Sequence, residues 1–227
     1  FLQHKMISDL QVENLTKSFG DNLLFENISF GISDNQRVAL IAKNGTGKTT
    51  LLNIIAGNED YQSGSISFKR DLRVGYLDQN PDFPKNLSVI DACLQSDNEA
   101  VRTIAAYEHC MLSENHTELD EILAQMDLHK AWDYETRIKQ ILGKLKIFNF
   151  EQLIGELSGG QLKRVALANV LISEPDLLIL DEPTNHLDLE MVEWLEDFLK
   201  RSNMSLLMVT HDRYFLDRVC TSILEID

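Results

Sequence analysis

Ala42-Lys43-Asn44-Gly45-Thr46-Gly47-Lys48-Thr49 stands between an apolar run and a helical pattern, and its residue types suit one task, the holding of phosphate. Gly45 and Gly47 let backbone N–H groups close around phosphate oxygens, and the helix that follows adds the positive end of its dipole. The Lys48 ammonium would reach the β- and γ-phosphates, and the Thr49 hydroxyl would bind Mg²⁺. The general pattern opens with glycine, where this chain has Ala42. Alanine costs little there if φ stays below zero, so the loop is expected to work. The expected nucleotide-binding run ends at Thr50.

A second feature is Leu177-Leu178-Ile179-Leu180-Asp181-Glu182, an apolar strand that delivers two carboxylates at its C-terminal end. In a doubly wound sheet that end is where ligands bind. Asp181 would hold Mg²⁺ through water, and Glu182 would polarise an attacking water. Alone, such a pair is an ordinary solvated turn. Beside a phosphate loop it makes hydrolysis of a nucleoside triphosphate the better reading. The third feature, Leu157-Ser158-Gly159-Gly160-Gln161, opens a helix with bared amides and a capping serine, a second anion-binding helix end. Physics alone leaves open whose phosphate it meets, and a plain loop with a helix cap is the rival reading.

Those side chains need a scaffold. Runs near 7–15, 23–32 and 36–42 read as strands, and 49–56 has helical spacing that stops at the Gly57 cap. Shorter strands are expected at 65–68 and 74–77. From Leu162 the pattern alternates: helix to Ile172, buried strand to Leu180, helix over 189–200, strand over 205–209. That order predicts an α/β fold with a parallel sheet covered by helices.

Between 88 and 150 the chain is helical by pattern. Leu119, Ile122, Leu123 and Met126 form one apolar stripe, and Val101, Ile104, Ala105, Met111 and Leu112 form another. They predict an antiparallel helix pair over about 98–127, turning at the polar 113–116, with Thr117 and Asp120 as a weak capping box. The final Ile223-Leu224-Glu225-Ile226-Asp227 reads as a strand end and as the edge of a fragment. Met6 reads as the natural start, with residues 1–5 a cloning remnant and 6–227 a single domain.

Acidic residues outnumber basic ones by 36 to 21, a net charge of −15. That balance disfavours non-specific binding to nucleic acid or anionic lipid over the whole surface. Three widely spaced cysteines without a CxxC pair point to a reducing compartment rather than to disulfides or zinc. No apolar run approaches the roughly 20 residues needed to cross a bilayer, so a cytoplasmic protein without membrane insertion is expected.

The order of phosphate loop, Gln79, Leu-Ser-Gly-Gly-Gln, Asp181-Glu182 and His211 resembles the ATP-binding cassette family over 6–227. Asp181-Glu182-Pro183-Thr184-Asn185-His186-Leu187-Asp188 and Thr210-His211-Asp212-Arg213-Tyr214-Phe215-Leu216-Asp217 look like the ABC-F branch. The helical region, with Leu119–Asp127 and Trp132–Leu145, is similar to the Uup subgroup. The resemblance implies an ATP-binding cassette fold: a parallel core, an antiparallel β subdomain, and a helical subdomain over about 86–172 carrying an arm-like pair over about 98–127. It implies ATP and Mg²⁺ as cofactors and two cassettes sandwiching nucleotides head to tail, in one chain or by homodimerisation. It implies action on ribosomes, with this chain as the N-terminal cassette and weak hydrolysis when the cassette is isolated.

By the same resemblance, Phe19 would stack on adenine and Gln79 would touch Mg²⁺ and the attacking water. His211 would contact the γ-phosphate, and Asp188 would link the two sites. Ser158, Gly159, Gly160 and Gln161 would meet the γ-phosphate of the opposite cassette. A rival reading is the ATPase subunit of a membrane transporter, and another is a nucleotide-gated scaffold. One departure matters. Over 97–127 one arginine faces eight acids, net −7, whereas an arm touching RNA should be basic. Arg137, Lys139, Lys144 and Lys146 flank a stripe of Ile138, Ile141, Leu142 and Leu145, as on a solvated helix. Trp132 and Trp194 read as core or interface aromatics, and Lys69, Arg70 and Arg73 as a small loop patch.

Overall fold

The structure is a computed structural model that describes residues 8–43, 45–94, 99–112 and 117–226. Asn44, the turn at 113–116 and the segment before Met6 lie outside the described residues. In chain order the elements begin with β1 (Ser8–Phe19), β2 (Asn22–Ser33), β3 (Arg37–Ala42), α1 (Lys48–Ile55), β4 (Ser63–Phe68) and β5 (Val74–Leu77). Five helices follow: α2 (Val89–Leu94), α3 (Glu99–Leu112), α4 (Leu119–Leu128), α5 (Trp132–Lys144) and α6 (Gly159–Ile172). The last elements are β6 (Leu177–Asp181), α7 (Leu189–Arg201), β7 (Ser205–Val209), α8 (Arg213–Val219) and β8 (Ser222–Ile226).

Two compact units divide these elements, Phe1–Gln79 with Pro175–Asp227, and Asn80–Glu174. The first holds both sheets. One is antiparallel in the order β2-β1-β4, and the other is parallel in the order β5-β6-β7-β3-β8. Every residue of β6 and β7 is buried, which is why both are unbroken apolar runs rather than alternating ones. Leu51, Leu52, Ile54 and Ile55 of α1 share one buried cluster with Leu10, Val12 and Leu15 of β1 and with Leu177, Ile179 and Leu207 of the parallel sheet. The helix after the phosphate loop is thereby anchored on both sheets.

The first strand runs four residues past the expected end at Leu15, to Phe19. Register shifts along β1 make room for the extra length, and Asn14 takes φ 50°, which asparagine tolerates better than most residues. The extension carries Phe19 to the rim of the site.

The second unit is helical, as the composition shift predicts. Ile138, Ile141, Leu142 and Leu145 are buried, so the α5 stripe faces inward as read. Helices α3 and α4 pack together, which is the expected pair. Two details differ. On α3 the buried face is Ala100, Val101, Thr103, Ile104 and Cys110, while Ala105 and Met111 are exposed. The expected cap at Thr117 also gives way, because Glu118 is the N-cap of α4 and makes no side-chain cap bond. Trp132 is half-exposed, with its Nε1 donating to Asp127 Oδ1 at 2.7 Å and its ring edge-on to Tyr107.

Candidate functional site

Four neighbouring strands of the parallel sheet, β5, β6, β7 and β3, each end at the same edge. Their carboxyl ends deliver Gln79, then Asp181 and Glu182, then His211, then the phosphate loop. Residues more than a hundred positions apart in sequence therefore meet around one cleft of about 480 Å³. Phe19, Gly45, Gly47, Lys48, Thr49 and Thr50 line it together with Gln79, Asp181, Glu182 and His211.

The loop conformation follows from its residues. Ala42 is the last residue of β3, in extended backbone, so the missing glycine costs nothing. Gly45 and Gly47 have φ 84° and 88°, left-handed values that side chains avoid. Gly47 is also the N-cap of α1, and no side chain caps the helix there. The first turn consequently keeps donors available to an anion. The Lys48 ammonium donates to the carbonyls of Ala42 at 2.8 Å and Lys43 at 3.1 Å, and Thr46 Oγ1 donates to Lys43 at 2.8 Å.

Opposite the loop, Asp181 is 3% exposed, and among the described residues neither carboxylate oxygen has a hydrogen-bond partner. Burial pushes its carboxyl above the ordinary range, with the nearby Thr49 and Gln79 side chains pulling the other way. Gln79 Nε2 donates to Thr49 Oγ1 at 3.2 Å, joining two of the expected metal ligands. Glu182 has φ 50°, an uncommon value for glutamate, and its N–H donates to Val209 O at 2.8 Å. Its carboxylate accepts from the His211 N–H at 3.2 Å, and His211 Nε2 lies 3.4 Å away.

Phe19 is exposed at the rim with the Lys17 ammonium 4.7 Å from its ring centroid. Lys17 is itself held by Glu59 at 2.9 Å and the Asp60 carbonyl at 2.6 Å. Asp188 is absent from the cleft lining. It caps α7, accepting from Met191 N–H at 3.1 Å. Ser158 to Gln161 belong to the helical unit. Ser158 caps α6 by accepting from Gln161 N–H, and the Gln161 side chain returns the bond to Ser158 N–H, a full capping box. Around Gly159 an added methyl would meet no atom within 4 Å.

Sequence reading missed three parts of this arrangement. Leu24 lines the cleft and lies against Gly47, Asn185 and Val209 complete the wall, and Tyr76 donates to Asn53. Asn185 lies inside the 181–188 run after β6, where nothing local assigns it a role, and Leu24, Val209, Tyr76 and Asn53 reach the arrangement through tertiary packing that no local pattern announces.

Fold and cleft together define a nucleotide-binding cassette of the phosphate-loop class. The ABC transporter family matches residues 25–185, and the chain belongs to that family. It is 43% identical to the uncharacterized ABC transporter ATP-binding protein YfmR of Bacillus subtilis, over 97% of this chain and 36% of that protein. It is 36% identical to the ATP-binding protein Uup of Escherichia coli, over 92% of this chain and 34% of Uup. The energy-dependent translational throttle protein EttA of Mycobacterium tuberculosis is 34% identical, over 95% of this chain and 40% of EttA. The chain thus spans a little over a third of these relatives' length. A solved ATP-binding subunit of an ABC transporter shares the fold, with a TM-score of 0.72 at 22% identity over 96% of this chain and 85% of that one. Among the described residues no helix is long and apolar enough to cross a membrane.

Proposed function

We propose that the chain binds Mg-ATP in this cleft and that hydrolysis follows when a second cassette closes over it head to tail. The observation that carries the reading is the convergence of Lys48, Thr49, Gln79, Asp181, Glu182 and His211 on one cleft from separate strand ends. Lys48 would leave the carbonyls of Ala42 and Lys43 for the β- and γ-phosphates, while amides from Gly45 to Thr50 would enclose the oxygens. Phe19 would stack on the base. The donor set fits a cation brought in with phosphate: Asp181 offers two buried, unpartnered oxygens beside the Thr49 hydroxyl and the Gln79 amide. A bound Mg²⁺ would supply charge neutralisation at the phosphates.

Glu182 would accept the proton of a water aligned with Gln79, and His211 would hold the γ-phosphate. Ser158, Gly159, Gly160 and Gln161 would receive the γ-phosphate held by the opposite cassette, with Asp188 linking the two sites. Relatives nearly three times as long support a partner cassette within the same chain, although a homodimer would serve the same geometry. The likeness to EttA supports an action on translation, and hence ribosomes in the cytoplasm as the setting.

The test is phosphate release by the assembled two-cassette protein together with ATP-dependent co-sedimentation with ribosomes. Glu182→Gln should abolish release and strengthen ribosome association in ATP. Undiminished release would remove Glu182 from the role of base, and association unchanged by ATP would remove the ribosome from the reading.

A further inference from the structure

Gln79 sits two residues beyond β5, which lies at the edge of the parallel sheet and, among the described residues, pairs with β6 alone. The aim of a side chain just past such a strand depends in part on what ties the segment to its neighbours. Two side-chain hydrogen bonds run from here to α1. Gln79 Nε2 donates to Thr49 Oγ1 at 3.2 Å, and Tyr76 Oη donates to Asn53 Oδ1 at 2.9 Å. Thr49 and Asn53 are four apart and share one face of the helix, while Tyr76 and Gln79 are three apart on the other piece of chain. The two bonds are rungs between the same two segments.

Neither Tyr76 nor Asn53 lines the cleft. The Tyr76 ring packs against the buried cluster that includes α1, a packing role that phenylalanine would fill equally well. Its hydroxyl therefore has a separate task. We propose that the Tyr76–Asn53 bond sets the reach of Gln79 toward the metal end of the cleft, which makes Tyr76 a positioning residue. The proposal rests on the reading of the cleft as a Mg-ATP site.

The test uses the whole chain and a fluorescent ATP analogue, with binding measured in EDTA and the midpoint of a Mg²⁺ titration measured at fixed nucleotide. Tyr76→Phe should leave affinity in EDTA within about twofold and raise the Mg²⁺ midpoint about three- to tenfold, the scale of one lost hydrogen bond. Asn53→Ala should give the same shift, and the double variant should be no worse than either single one. Each variant's melting curve reports folding, and either single variant suffices if the other fails to fold. Parallel losses with and without Mg²⁺ would make the role merely structural and overturn the proposal. A normal Mg²⁺ response in wild type that Tyr76→Phe reproduces would overturn the proposal alone. A wild-type chain whose nucleotide binding ignores Mg²⁺ would remove the cleft reading, and the proposal with it.

Discussion

His211 meets Glu182 at both carboxylate oxygens: its main-chain N–H donates to Oε2 at 3.2 Å, and its Nε2 lies 3.4 Å from Oε1, an ion pair when the imidazole is protonated. Glu182 is the first residue after β6 and His211 is the second after β7, so the pairing of two adjacent strands brings them together. The main-chain bond orients one oxygen of the carboxylate that the proposed chemistry needs as base.

Glu182→Gln keeps an acceptor for the His211 N–H and removes only the basicity. Phosphate release by the two-cassette protein is expected to fall at least about 100-fold, the usual scale of a lost general base. ATP binding should persist, as measured by equilibrium dialysis. Loss of binding as well would make Glu182 a ligand rather than a base.

Gly47 has φ 88°, and a methyl there would lie 3.1 Å from Leu24 Cδ1. Gly47→Ala should cost roughly 1–2 kcal/mol from the left-handed backbone alone, a drop of several degrees in melting temperature for a chain of this size. It should also abolish ATP binding, because the loop cannot keep its shape. A variant that melts and binds like wild type would contradict the loop geometry.

Gly159 gives the opposite expectation, since nothing stands within 4 Å of an added methyl and the residue opens α6. Gly159→Ala should leave the melting temperature unchanged or raise it slightly, because alanine is the better helix former by about 1 kcal/mol. Hydrolysis by the two-cassette protein should nevertheless fall sharply, because the open space is where the opposite nucleotide would approach. A drop in stability without a change in turnover would place the glycine's role inside the chain.

Much of this was legible along the chain, and the reasons are physical. The phosphate loop shows itself because Gly45, Gly47, Lys48 and Thr49 act within one turn, and β6 shows itself because a strand buried on both faces must be wholly apolar. What stays hidden depends on pairing. Nothing near Tyr76 announces Asn53, and nothing near Leu24 announces Gly47. On α3 periodicity located a stripe but missed its centre, since burial of Thr103 and exposure of Met111 follow from where the neighbouring helices lie. At Thr117 a favourable residue type did not become the cap, because the helix starts one residue later than the pattern suggests.

Asp181 sets stability against function. Among the described residues its two buried oxygens lack hydrogen-bond partners, and burial disfavours the charge they carry more than the nearby Thr49 and Gln79 side chains favour it. Asp181→Asn should therefore raise the melting temperature of the nucleotide-free chain while reducing the extra stabilisation that Mg-ATP confers. Thermal melts with and without Mg-ATP give both numbers in one experiment. A less stable apo variant would show that the carboxylate is satisfied in solution.

Lys48 lies at the centre of the proposed site, its ammonium donating to the carbonyls of Ala42 and Lys43. Calorimetric titration of Mg-ATP into the wild-type chain and into Lys48→Ala tests that role most directly. One saturable site in wild type is expected, weakened about tenfold or more in the variant, the scale of a charge-assisted hydrogen bond. Equal affinity in the two proteins would contradict phosphate binding by this loop.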